Sequence, residues 1–308
     1  MNSKIHYISF CSEGEPYDKG IDLSNSKKIL IEKLKNTDIN YFFYSPRFLK
    51  ENGFSEYVKE HENPGLVSMN PNMNLVGFCA WKPLIMLLEL EKMNDGDILV
   101  YRDCNCEKYG QLKDFDNFEK NINEIFNIVN FDFFIPVENN KLTIGNHCKS
   151  NVIRELSINE EFTRKFPLLI ANIIICKKSN ISIDILNDWK KNCLIDKYIN
   201  GEQYGELYPE FHWHTPEQGI LGVLISNYVY ENKYNIPKNY PNLMLLDRNI
   251  NNKIIIDKDK NIENFDNIFI LNNYSNIPYI ITGIITLSLV IYFNNKILYK
   301  NIKKIIKK

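Results

Sequence analysis

Two periodicities alternate along this chain. Short runs that are apolar at nearly every position are followed by stretches whose apolar residues return every three or four, which predicts strands and helices in turn. Residues 4–11, KIHYISFC, predict a first strand, and residues 24–36 a helix turning Ile29, Leu30 and Leu34 inward. Asn40–Tyr44 predicts a second strand, ended by Ser45-Pro46, and the polar residues 50–76 a helix and then a loop. Pro83 suits the first position of a helix, where its missing N–H costs nothing, and Leu84, Leu87, Leu88 and Glu91 follow with one broad apolar face. Asn94-Asp95-Gly96 is a turn, and residues 97–101 form a run apolar enough for a strand covered on both faces.

Beyond residue 106, Phe115, Phe118, Ile122, Ile125, Phe126 and Val129 recur at helical spacing, and Phe131 to Val137 predicts another strand. Residues 138–150 show no period. Ser157 with Glu160 predicts a capping box before a short helix. Residues 168–176, LLIANIIIC, predict a strongly apolar strand, Ser182 opens a helix running toward Leu194, and residues 195–211 are polar and rich in turns. In the last predicted helix Thr215 fits the cap, Pro216 the first position and Gln218 the reciprocal partner. Strands alternating with helices predict an α/β fold with a mostly parallel central sheet flanked by helices.

Candidate chemistry collects where strands end. Asp103 and Asn105 stand two apart beyond the strand at 97–101, at the edge where open α/β sheets gather ligands. Two such oxygens can share a hard divalent cation that keeps open positions for phosphate oxygens. Lys82, at the start of a helix, is placed either to meet a phosphate or to be a solvated lysine. Asn172 interrupts an apolar run, so it must find a partner or face water. His212 and His214 fall on one side of an extended segment, as incidental residues or as ligands of a metal or phosphate. No G-x-G-x-x-G is present, which argues against that kind of dinucleotide site.

Composition narrows the classes. With 308 residues there is room for one large α/β domain or two small ones. A net charge of −1 leaves no basic footprint, which argues against nucleic acid as a partner. The seven cysteines show neither C-x-x-C nor zinc spacing, and Cys104-x-Cys106 reads as two incidental thiols. Without a signal-peptide core at the start, the thiols are expected to stay reduced.

The run WKPLIMLLELEKMNDGDILVYRDCN resembles the WKP…NDGD-hydrophobic-Y-x-D segment of a group of GT-A glycosyltransferases that use nucleotide sugars. The resemblance implies a GT-A-like, Rossmann-like sheet and a metal-dependent transfer of a sugar from a nucleotide-diphosphate donor to a hydroxyl on a glycan, protein or lipid acceptor. It implies that Asp103, with Asn105, holds Mn2+ or Mg2+ and the donor diphosphate, helped by Lys82. Asn105 departs from the pattern, because relatives often carry Gly, another small residue or a second Asp there. A strand like that around Asn172 often brings an Asn to the donor or acceptor sugar. Residues 214–218, HTPEQ, resemble the H-x-x-D-Q segment late in many such enzymes, with Glu217 replacing Asp. Glu217 is then the candidate general base if the reaction inverts, or a sugar-positioning group if it retains, and His214 a candidate metal ligand. Two other classes compete: a membrane-tethered nucleotide-sugar binder without turnover, and a metal-dependent phosphohydrolase, which usually needs more acidic ligands.

The end of the chain has its own pattern. Residues 277–293, IPYIITGIITLSLVIYF, carry no charge and reach the lower limit of a bilayer-spanning helix. Tyr279 and Tyr292 flank the run as interface residues would. The expected layout is a glycosyltransferase-like domain at 1–256, a polar tether at 257–276, a transmembrane helix at 277–293 and a lysine-rich tail at 294–308. The tail lysines favour a cytoplasmic tail. The reduced thiols favour a cytosolic catalytic domain.

Overall fold

A computed structural model describes residues 3–61, 64–67, 76–104, 131–138 and 142–233, with Ile122, Phe126 and two further strands. Its centre is a five-stranded sheet of β1 (Ile5–Phe10), β2 (Asn40–Tyr44), β3 (Ile98–Arg102), β4 (Phe133–Phe134) and β6 (Ile173–Lys177). The spatial order is β2-β1-β3-β6-β4. A smaller sheet joins β5 (Val137–Glu138), β7 (Met244–Asp247) and β8 (Lys253–Ile256).

The main sheet is mixed, parallel through β2, β1 and β3 as expected and antiparallel where β6 enters. β1 pairs in parallel with β2 and with β3, whereas β6 runs antiparallel to both β3 and β4. A strand apolar on both faces reports burial under two layers, and β6 is buried that way whichever direction it runs. The chain leaves β1 for β2 through helix α1 (Ser24–Leu34), then crosses back to lay β3 on the other side of β1. The carboxyl ends of β1 and β3 therefore flank a topological switch point, where ligands of α/β sheets collect.

Helix α2 (Pro46–Glu51) starts at Pro46, capped by Ser45 Oγ, which accepts the Phe48 N–H. Helix α3 (Trp81–Leu90) is buried at every position but Leu88, so the expected single apolar face is a fully covered helix. It packs against β1, β3 and α7 (Asn180–Cys193), and α7 packs in turn on α9 (Pro216–Tyr230). Pro83 is its third residue, not its first, and is tolerated because first-turn N–H groups have no intrahelical acceptor. Trp81 stacks on Phe10 at 3.7 Å between ring centres, tying the helix start to the end of β1.

Elsewhere local chemistry shifts the boundaries. Residues 131–137 divide at Ile135-Pro136, because proline cannot donate to a ladder. A short helix, α4 (Ile144–His147), occupies part of the stretch without period, followed by α5 (Ser150–Leu156). Asn159, not Ser157, caps α6 (Glu160–Lys165), accepting the Phe162 N–H at 3.0 Å. Helix α7 opens at Asn180, with Ser179 and Ser182 as its capping pair, and α8 (Asp196–Ile199) lies within the turn-rich segment. Of residues 168–176, only those from Ile173 on are strand. Ile122 and Phe126 are helical, and the rest of the 115–129 helix lies outside the described residues. So do Asn105, the tether, the apolar run at 277–293 and the tail. Among the described residues no helix is long and apolar enough to cross a membrane.

Candidate functional site

The site begins with a left-handed turn. Gly77, Phe78 and Cys79 have φ of 56°, 46° and 61°, and helix α3 starts two residues later. Side chains disfavour that conformation, so two of the three residues are strained. A Cβ at Gly77 would lie 2.1 Å from Tyr57 O. Phe78 is buried and stacks on His61 at 4.0 Å, which anchors the turn. The turn delivers Lys82, in the first turn of α3, to the carboxyl end of β3.

Lys82 is buried, not solvated. Its Nζ donates to Glu217 Oε1 at 2.7 Å and to Ala171 O at 3.1 Å, and stands 3.5 Å from Asp103 Oδ1. Two hydrogen bonds and an ion pair thus surround the ammonium inside the protein, where the sequence left it either on a phosphate or solvated. Burial alone would weaken the ammonium, but Asp103 and then Glu217 outweigh it and hold Lys82 well above the usual lysine range. The Tyr101 hydroxyl donates to the same Asp103 oxygen, and burial, with Asp103 beside it, keeps that phenol protonated. Cys79, pushed up first by burial and then by Glu217, is a neutral thiol.

Asp103 is the accessible member, its side chain 32 % exposed against 5 % for Lys82 and 7 % for Glu217. Its backbone N–H donates to Asn172 O at 2.8 Å, joining β3 to the turn before β6. Among the described residues its Oδ2 has no hydrogen-bond partner. Among the described residues two carboxylates face one ammonium, and Asp103 is the one on the side open to solvent. The side-chain Oδ1 of Asn172, the residue whose carbonyl accepts from Asp103, is buried and has no hydrogen-bond partner among the described residues. After β1, residues 12–20 fold around the Asp18 carboxylate, which accepts from Ser12 Oγ and from the Glu13 and Gly20 N–H groups.

Glu217 stands at the start of α9, and its backbone carbonyl accepts from Trp189 Nε1 at 2.8 Å. Thr215 and Gln218 do not form the expected capping box. Thr215 Oγ1 donates to His147 O, and Gln218 Oε1 accepts from the Ala171 N–H. Their side chains instead clamp the helix start to neighbouring loops. Glu217 is buried and ion-paired with Lys82.

His214, the candidate metal ligand, is enclosed by backbone groups. Nδ1 accepts from the Lys149 N–H and Nε2 faces Tyr198 O at 2.8 Å, so both nitrogens are engaged. Burial, with Lys149 nearby, drops its pKa to about 3. His212, two residues away, is exposed, so the pair does not act together.

No group of three His, Cys, Asp or Glu side chains able to hold a metal exists among the described residues. What the described residues offer is one free carboxylate oxygen on Asp103 and the orphaned Asn172 Oδ1. Such a set fits only a hard cation held through one or two protein oxygens and completed by water and phosphate, the way Mg2+ is commonly bound. Pattern reading missed Tyr101, Gln218 and Trp189. Tyr101 was findable, since residues two apart on a strand share a face; the other two are long-range partners with no local signature. No family model, curated protein or solved structure matches this chain.

Proposed function

We propose that this chain is a GT-A-type glycosyltransferase that takes a sugar from a nucleotide-diphosphate donor at the rim of β1 and β3. One observation supports the reading above the rest: Asp103 ends β3 at the switch point, with one oxygen held by Lys82 and Tyr101 and the other open. A carboxylate fixed on one side keeps its geometry while the free oxygen binds. Lys82 and Glu217 are positioning residues in this scheme. Lys82 orients Asp103 through its ammonium, and Glu217 keeps Lys82 charged. Asp103 and Asn172 would hold the divalent cation, which when bound neutralises charge on the departing diphosphate. Asn172 Oδ1, without a hydrogen-bond partner among the described residues, would accept from a hydroxyl of the donor.

The test is consumption of a panel of nucleotide-diphosphate sugars with Mn2+, comparing the natural chain with Asp103→Asn. Asn keeps the shape and removes the charge, and kcat/KM should fall by about 100-fold or more. Equal turnover by the variant would remove Asp103 from the reaction.

A second reading, binding without turnover, is favoured by the locked state of Glu217, because the site then lacks a free base. Calorimetry with the same panel separates the two: heat of binding with no donor consumed, whatever acceptor is added, selects the binder.

A further inference from the structure

Cys11 directly follows β1, and Cys104 stands two residues beyond the end of β3, its parallel neighbour. The ladder pairs Tyr7 with Val100 and Ile8 with Tyr101, and Ser9 Oγ donates to Arg102 O at 2.6 Å. Continued past the ladder, the same register sets Cys11 level with Cys104. Level residues on parallel strands project to one face, about 4.8 Å apart, within the roughly 4.4–6.8 Å between Cα atoms that a disulfide spans. The Cys11 thiol donates to Ser12 O at 3.8 Å, and the Cys104 side chain is the neighbour that does most to lower its pKa. Neither sulfur is in a disulfide, and both residues are only 1 % exposed.

We propose that Cys11 and Cys104 are a redox modification site, closing into a reversible disulfide across the ends of β1 and β3, next to Asp103. Their burial excludes bulky disulfides and selects a small oxidant of the hydroperoxide class. The Cys11 sulfur attacks a peroxide oxygen; the S–O bond forms, the O–O bond breaks, and one water leaves. The Cys104 sulfur then attacks the Cys11 sulfenic acid; the S–S bond forms, the S–O bond breaks, and the Cys104 proton departs in a second water. The two thiols lose two electrons and two protons, and hydrogen peroxide is reduced to two waters. An external dithiol returns the electrons and restores both thiols.

The surroundings distinguish Cys11 from the other buried thiols. The Cys104 side chain draws its pKa below the ordinary value against the opposing effect of burial, assisted by the Lys27 charge. Cys148 and Cys176, in contrast, are pushed up by burial. Nucleophilic attack by sulfur needs the thiolate, so Cys11 takes the attacking role.

The full chain is treated with hydrogen peroxide, unfolded, alkylated and digested without reduction, and its peptides are weighed. The expected product is a Cys11–Cys104 cross-linked pair, lighter by two hydrogens and released by dithiothreitol. The oxidised protein should also melt at a higher temperature than the reduced one, since the bond closes a long loop in the unfolded chain. Cys104→Ser should lack the cross-link and Cys106→Ser should keep it. Full alkylation of Cys11 and Cys104 after peroxide, over-oxidation without a cross-link, or a bond to Cys106 instead would each overturn the proposal. The mapping on the natural chain decides even if Cys104→Ser does not fold.

Discussion

Lys82 is a cation enclosed rather than solvated, and the enclosure sets what its neighbours can do. It donates to one carboxylate and one carbonyl and pairs with a second carboxylate. A buried charge is tolerable only while paired, and removing one partner costs about 3–5 kcal/mol. Lys82→Met should therefore destabilise the fold by about that amount, read from urea unfolding, and Lys82→Met with Glu217→Leu should recover a large part of it. Two buried histidines predict the response to acid. Burial, and then His212, lower His147 to about 4; burial, and then Lys149, lower His214 to about 3. Both lie below the ordinary value of 6.5. Between those values the unfolded chain binds protons that the folded chain does not, so stability falls as pH drops from about 6.5 toward 4. Thermal melts across that range should show the decline, and His147→Phe, which keeps a ring against Trp213, should flatten it.

At the scale of elements, the left-handed turn at residues 77–79 and helix α3 form one device. The turn lets the chain enter the helix from beneath, close against Tyr57 O, and its strain is held by Phe78 packed on His61. Gly77→Ala adds both a disfavoured φ and a 2.1 Å contact with a carbonyl. It should cost about 1–3 kcal/mol or more, measurable as a lower urea midpoint, and should weaken donor binding because Lys82 moves with the helix. Strand β3 shows the complementary economy: its period of two puts Tyr101 and Asp103 on one face, where the phenol steadies the carboxylate.

Across the whole molecule, the path of the chain places the chemistry. Because β2 and β3 lie on opposite sides of β1, the carboxyl ends of β1 and β3 flank the switch point, and Asp103, the first residue after β3, stands there. The membrane reading of residues 277–293 belongs to this scale and is carried by hydropathy alone. If these residues anchor the protein, the full chain should stay with the membrane pellet after alkaline carbonate washing, and a chain ending at residue 276 should move to the supernatant.

Local pattern sufficed for what local physics controls. The periods of apolar residues located β1, β2, β3, α1 and α9 to within a few residues, and an Asp at the end of an all-apolar strand located the candidate site. Long-range geometry decided the rest. The partner of Lys82 is 135 residues away, and no spacing rule links the two, since a side chain's neighbours in space depend on how distant segments cross. The same holds for His214, whose ring is enclosed by the backbone of two other segments, and for Cys11 with Cys104, paired only once β1 and β3 lie side by side. The direction of β6 was equally out of reach, because an apolar run records that a strand is covered and not which way it points. Sequence determined which segments would be buried and where a carboxylate would emerge; tertiary structure decided which charges would meet there, because pairing energy depends on distances that only the folded chain defines.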